Sequence, residues 1–191
     1  MNITIYSASS GQVPAAYVEA ARGLGELLAR RGHVVVNGAG RTGLMAAAAE
    51  ACMAAGGEAV GVIPRFMIEQ GWQHTAMTRL IVTEDMHSRK ETMAGMSDAC
   101  IALPGGVGTL EELLEIITWK QLGLYLKPVV VLNTGGYFDP LLAQLERAVE
   151  ERFMRPEHKA IWQVALTPDE AVALCENTPC WEEAVRKFAA L

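Results

Sequence analysis

Ala99-Cys100-Ile101-Ala102-Leu103-Pro104-Gly105-Gly106-Val107-Gly108-Thr109-Leu110-Glu111-Glu112 begins with five small or apolar residues, turns on a proline and three glycines, and ends in the first turn of a helical pattern. The apolar run does not alternate in polarity, which suits a strand buried on both faces. A strand that passes through a glycine-rich turn directly into a helix is the unit from which parallel sheets are built. The same unit recurs on either side of this stretch. Apolar runs at 3–6, 33–36, 59–63, 80–82, 99–103, 129–132 and 163–166 read as strands. Helical spacing occupies 14–30, 44–55, 86–96, 110–121 and 138–152, with 168–176 and 181–190 closing the chain. Strands and helices in this alternation predict an α/β fold, a Rossmann-like parallel sheet with helices on both faces. No internal repeat, low-complexity tract or linker interrupts it, so residues 1–191 are expected to form one nucleotide-binding domain.

Composition narrows the function. The chain has 191 residues, 51% hydrophobic and 20% charged, which excludes disorder, collagen and coiled coil. Sixteen basic against twenty-two acidic residues give a net charge of −6, so no global positive field holds a nucleic acid. No apolar run is long enough to span a membrane, and the first residues lack the pattern of a secretory signal. Cys52, Cys100, Cys175 and Cys180 form no C-x-x-C pair, and His33, His74, His87 and His158 show no ligand spacing. A cytoplasmic protein without a metal site is the expectation.

In a parallel sheet the loops leaving the carboxyl ends of the strands open on one edge, where ligands bind. Three such loops are rich in small residues: 7–11 (Ser-Ala-Ser-Ser-Gly), 37–43 (Asn-Gly-Ala-Gly-Arg-Thr-Gly) and 104–109 (Pro-Gly-Gly-Val-Gly-Thr). Glycines let backbone N–H groups approach a ligand, and a helix N-terminus adds unpaired donors and positive partial charge. The set suggests a ligand that carries phosphate. Gly38, Gly40 and Gly43 have the spacing of a dinucleotide fingerprint. The acid that should end the following strand is missing, because that strand ends Gly61-Val62-Ile63-Pro64 and Glu58 stands at its other end. A tight turn or a mononucleotide contact explains the glycines as well.

Thr109 and Glu112 match a capping box, with Thr109 at the N-cap, and that role alone accounts for both residues. Glu111, Glu112 and Glu115 nevertheless crowd a helix that should receive an anion. A nearby cation would resolve the conflict, and Arg89 and Lys90, following the fourth strand on the same edge, fit that role. Thr118, two turns beyond Glu111, is placed toward the crevice. Met86, Met93 and Met96 have core spacing first and nucleobase-wall spacing second.

These residues carry a resemblance. Residues 104–112 match the pattern PGGxGTxxE, and Met86-His87-Ser88-Arg89-Lys90 matches MHxRK, two linked motifs of the LOG (Lonely Guy) family. The chain is similar to that family from the 9–11 loop through residues 61–64 and 117–123 to residues 127–129. Family members are cytokinin riboside 5'-monophosphate phosphoribohydrolases, often labelled lysine decarboxylases. The resemblance implies a homodimer that cleaves the N-glycosidic bond of adenosine-type 5'-monophosphates, with Arg89 and Glu112 as the catalytic pair. It implies a nucleotide loop of Gly105, Gly106, Val107, Gly108, Thr109, Leu110 and Glu111, with Lys90, Thr118, Ser9 and Gly40 as further contacts. The reaction needs neither metal nor other cofactor. The decarboxylase label would require pyridoxal phosphate on a Schiff-base lysine, and no feature singles out such a lysine. The runner-up is a carrier of the same fold that binds a nucleotide or phosphorylated cofactor without cleaving it.

Three positions depart from the family pattern. Ala39 adds a methyl where the family has glycine in GGGxxGLMG, Ser7-Ala8-Ser9-Ser10 stands for CGSS, and Gly71 replaces a glutamate that many relatives carry three residues before His74. They bear on the base pocket more than on the hydrolytic centre. For quaternary structure, the helix expected at 86–96 offers its methionines as an adaptable apolar contact.

Overall fold

Seven short runs of apolar, largely β-branched or small residues assemble into a single sheet. We describe a computed structural model in which residues 1–182 are placed; the helix expected at 181–190 lies largely outside the described residues. In chain order the elements are β1 (Asn2–Tyr6), α1 (Ala15–Arg30), β2 (Val34–Asn37), α2 (Gly43–Ala54), β3 (Glu58–Pro64), α3 (Arg65–Glu69), β4 (Arg79–Thr83) and α4 (Met86–Met96). They continue with β5 (Ala99–Ala102), α5 (Val107–Gln121), β6 (Val129–Leu132), α6 (Asp139–Glu150), β7 (Gln163–Ala165) and α7 (Pro168–Asn177). Two 3-10 turns, Thr134–Gly136 and Pro156–Ala160, flank α6.

The strand order is β4-β3-β2-β1-β5-β6-β7, and every neighbouring pair is parallel. The chain winds outward from β1 to β4, returns to pair β5 with the other side of β1, and winds outward again. Loops leaving β1 and β5 therefore diverge to opposite faces, and the crevice of an open α/β sheet lies where they part. One face is covered by α1, α2 and α7 through Leu24, Leu28, Leu44 and Val172; the other is covered by α4, α5 and α6 through Met93, Leu113, Ile116 and Leu145. Strands β5 and β6 are apolar along their length, and β1 and β2 are buried with only Thr4 and Asn37 as polar residues inside, because both faces are covered.

The strands and long helices fall within a residue or two of their expected ends, with two exceptions. Helix α3 follows directly on Pro64 and is too short to show a period. Helix α5 starts at Val107, three residues before the apolar spacing begins, and its N-cap is Gly106 rather than Thr109. No capping box forms. Thr109 is the third helical residue, and its side chain folds over Gly105, where an added Cβ would stand 2.0 Å from Thr109 Oγ1. Tyr137, from the far side of β6, donates its hydroxyl to the Gly105 carbonyl at 2.6 Å. Tertiary contacts thus override the weak helix propensity of Val107 and Gly108, and Glu112, one and a half turns in, has no capping role. The methionines of α4 also differ from expectation as a contact surface: Met93 is buried in the core and Met86 faces the crevice.

Candidate active site

A cavity of about 630 Å³ opens on the carboxyl edge of the sheet, within the usual range for small-molecule sites. Ser9, Gly40, Arg89, Gly106, Gly108, Thr109, Glu111 and Glu112, all singled out from the sequence, line it together. Gly105 is covered by Thr109. Val107, Leu110 and Thr118 lie on the other flank of α5, sharing a shallow groove with Leu114 and Glu115. The Thr118 hydroxyl donates to the Leu114 carbonyl, one turn back.

The two glycine loops reach the cavity in different states. Loop 37–43 is filled by protein. Asn37 is buried; its Oδ1 accepts from Ala39 N at 2.9 Å and its Nδ2 donates to the Met45 carbonyl at 3.0 Å. Gly40 N donates to Met45 Sδ, Met45 N to the Ala8 carbonyl, and Thr42 Oγ1 to the Ser9 carbonyl. Gly43 has φ +71° and sits on the carbonyls of Ala8 and Ser10, where a Cβ would come within 2.6 Å. The methyl of Ala39, a residue with φ +56°, is turned away from the crevice toward Gly61 and is fully buried. It takes no space from a ligand. Loop 104–109 is open: nothing lies within 4 Å of a Cβ at Gly106 or Gly108, and both glycines are exposed. The first helical amides after Gly106 have no intrahelical acceptor, so the N-terminus of α5 offers unpaired donors to an anion.

Arg89 reaches the cavity from the first turns of α4, a helix started by a capping box in which Asp85 accepts from Ser88 N. Its Nε donates to the Val62 carbonyl and its Nη2 to the Gly38 carbonyl, both at 3.1 Å. Gly38 is glycine for this reason: a Cβ there would stand 1.6 Å from Nη2. Arg89 is 6% exposed, and its guanidinium is held on two sides, with other N–H groups left for the cavity.

Glu112 is 8% exposed, and among the described residues no protein group hydrogen-bonds its carboxylate. Burial pushes its pKa up to about 7, against the opposing pull of Arg89. The neighbouring acids are paired separately, with one lysine between them. Lys90 Nζ donates to Glu111 and, at 3.0 Å, to Glu115. The cation expected to relieve the crowding of acids is therefore Lys90, and it does so outside the cavity lining, leaving Arg89 to face Glu112.

Residues that were not offered as contacts, together with Met86, whose spacing also suited a nucleobase wall, complete the site. Ser7, at the end of β1, lines the cavity, and its hydroxyl is buried without a partner. Met45, Ile63, Met67, Trp72 and Met86 give it an apolar side. In sequence these residues belong to four separate elements and a loop, and only the fold gathers them. No lysine lines this cavity, so it offers no amine for a Schiff base with pyridoxal phosphate.

A crevice at the switch point of a parallel sheet, with an open helix N-terminus beside a buried carboxylate and arginine, is the layout of an α/β enzyme whose site offers donors to an anion. Comparison with known proteins places it further. Residues 45–175 match the family described as "possible lysine decarboxylase". The chain is 41% identical to the cytokinin riboside 5'-monophosphate phosphoribohydrolase LOG3 of Arabidopsis thaliana, over 97% of this chain and 87% of the relative. It is 43% identical to the protein of the same activity name in Rhodococcoides fascians, over 81% and 79%. Among solved structures, the molybdenum cofactor binding protein of Rippkaea orientalis has a TM-score of 0.68 at 24% identity, covering 92% of this chain and 93% of that one, which shows a shared fold. The chain belongs to the LOG family of phosphoribohydrolases. Among the described residues, no helix is long and apolar enough to cross a membrane.

Proposed function

We propose that the protein hydrolyses the N-glycosidic bond of adenosine-type 5'-monophosphates, AMP and its N6-substituted relatives, to free base and ribose 5-phosphate. The observation that carries this reading is Glu112: a buried carboxylate with no structural partner, opposite a fixed arginine, six residues into a helix whose N-terminus is open to phosphate. The α5 amides hold the phosphate. As the bond from C1' to the base breaks, positive charge develops on the ribose, and Glu112 stabilises it or orients the attacking water. The water adds hydroxyl to C1' and its proton leaves with the base. Arg89 holds the carboxylate or the phosphate in place, while Lys90 offsets part of the charge of Glu111 and Glu115, which would otherwise repel the substrate more strongly.

Incubation of the purified protein with AMP and with N6-isopentenyl-AMP is expected to release free base and ribose 5-phosphate; failure with both refutes the proposal. Glu112→Gln is expected to lower kcat by about 10²-fold or more, roughly 2.7 kcal/mol of lost transition-state stabilisation. A kcat within threefold of the parent would leave the reading without its carboxylate.

The carrier reading has one observation in its favour, the shared fold with molybdenum cofactor binding proteins. An intact nucleotide that co-purifies and survives long incubation would establish it.

The protein is also proposed to be a homodimer. Val107 (83% exposed), Leu114, Leu122 and Leu124 form an apolar outer flank on α5 and the turn after it, continuous with the groove that holds Thr118. Light scattering at micromolar concentration is expected to give twice the chain mass of 20.6 kDa, and a mass of one chain refutes it.

A further inference from the structure

Trp72 is a large aromatic side chain that remains half exposed, yet its backbone is fixed from two directions. Helix α3 ends in a Schellman motif: Gly71, with φ +69°, donates to the Ile68 carbonyl at 2.8 Å, and Trp72 N donates to the Met67 carbonyl at 3.1 Å. Nothing lies within 4 Å of a Cβ at Gly71, so the glycine is required by the left-handed turn and not by space. The next two residues are tied to the closed glycine loop, through a bridge between Gln73 and Gly40 and a bond from His74 N to the Ala39 carbonyl at 2.7 Å. Both Trp72 and Met67 line the cavity. The half of this aromatic ring left in water, on so determined a mount, gains nothing for the fold of the free protein.

Its place along the cavity follows from the sheet. Trp72 stands beyond β3, and the open N-terminus of α5 follows β5. The order β3-β2-β1-β5 separates them by three strand spacings, about 14 Å at 4.8 Å each. Arg89, bonded to the Val62 carbonyl of β3 and the Gly38 carbonyl after β2, lies between. With the phosphate on α5, an extended nucleotide directs its base toward Trp72, Met67 and Met86. The geometry points to Trp72 as the specificity-determining residue at the base end: its indole packs against the nucleobase, and Gly71 exists to present it. This rests on the nucleotide reading proposed above.

The test is calorimetric binding of AMP and of ribose 5-phosphate, which lacks a base, to protein carrying Glu112→Gln so that AMP stays intact. Adding Trp72→Ala is expected to weaken AMP about tenfold, near 1.4 kcal/mol and within the range for base–aromatic stacking, and to leave ribose 5-phosphate within twofold. Trp72→Phe is expected to restore most of the loss, and Gly71→Ala, which strains the mount, to reproduce it. Equal weakening of both ligands, or of neither, overturns the inference. If the parent binds neither ligand, the nucleotide reading itself fails, whereas AMP binding indifferent to Trp72 removes only this residue's role.

Discussion

Two glycine-rich loops leave neighbouring parts of one sheet, each runs from a strand into a helix, and they do opposite things. In loop 37–43 the glycines are consumed by the protein: Gly38 makes room for Arg89, and Gly43 for the carbonyls of Ala8 and Ser10. In loop 104–109, Gly106 and Gly108 touch nothing, and the helix that follows has open amides. The dinucleotide spacing belongs to the closed loop, where it builds a seat for an arginine. The open helix N-terminus belongs to the loop without that spacing. A glycine pattern reports where backbone must come close to something, and only the partner atoms show whether that is a ligand or the protein itself.

The comparison breaks most sharply at Gly43. Gly43→Ala places a Cβ on backbone carbonyls in a left-handed residue, and the expected loss is roughly 3 kcal/mol or more of stability, with the loops of β1 and β2 forced apart. A thermal melt within a degree or two of the parent would show that the closed loop is less tightly determined than its contacts imply.

Next in size is the pH dependence of the carboxylate behind the open loop. With its pKa raised to about 7, Glu112 is largely protonated in mildly acidic solution, so a reaction that uses the ionised form loses kcat/KM about tenfold per pH unit below 7 and is flat above. The opposite limb would make Glu112 a general acid. The linkage to folding has a definite sign. The folded value lies above the ordinary 4.5, so the stability this group contributes is present in full below pH 4.5 and is lost as pH rises through 7. Glu112→Gln should therefore raise Tm at pH 8 and leave it unchanged at pH 4.5.

The smallest effect tests the open loop itself. Gly108→Ala adds a methyl to the second residue of α5 in empty space, so stability should hold or rise by up to about 1 kcal/mol. Affinity for ribose 5-phosphate should fall, because the methyl enters the space proposed for the phosphate. Unchanged affinity would move the phosphate away from the α5 N-terminus.

The sequence by itself determined the parallel sheet and the set of loops on its carboxyl edge, because continuous apolar runs and helical periods are local properties of the chain. The family resemblance, carried by two motifs whose residues are each close in sequence, pointed to Arg89 and Glu112 together, and both line the cavity. The tertiary structure alone decided what each glycine is for, since that depends on atoms that arrive from other elements: Arg89 over Gly38, Ala8 and Ser10 against Gly43, Tyr137 and Thr109 around Gly105. It moved the start of α5 back to Val107 and so released Glu112 from capping, because packing outweighs the few tenths of a kcal/mol per residue by which propensity speaks. It sent Lys90 to Glu111 and Glu115, put Thr118 on the outer flank, and brought Trp72 to the cavity by a turn of one glycine and two hydrogen bonds. Those placements depend on side-chain direction and long-range contact, which spacing along a chain does not encode.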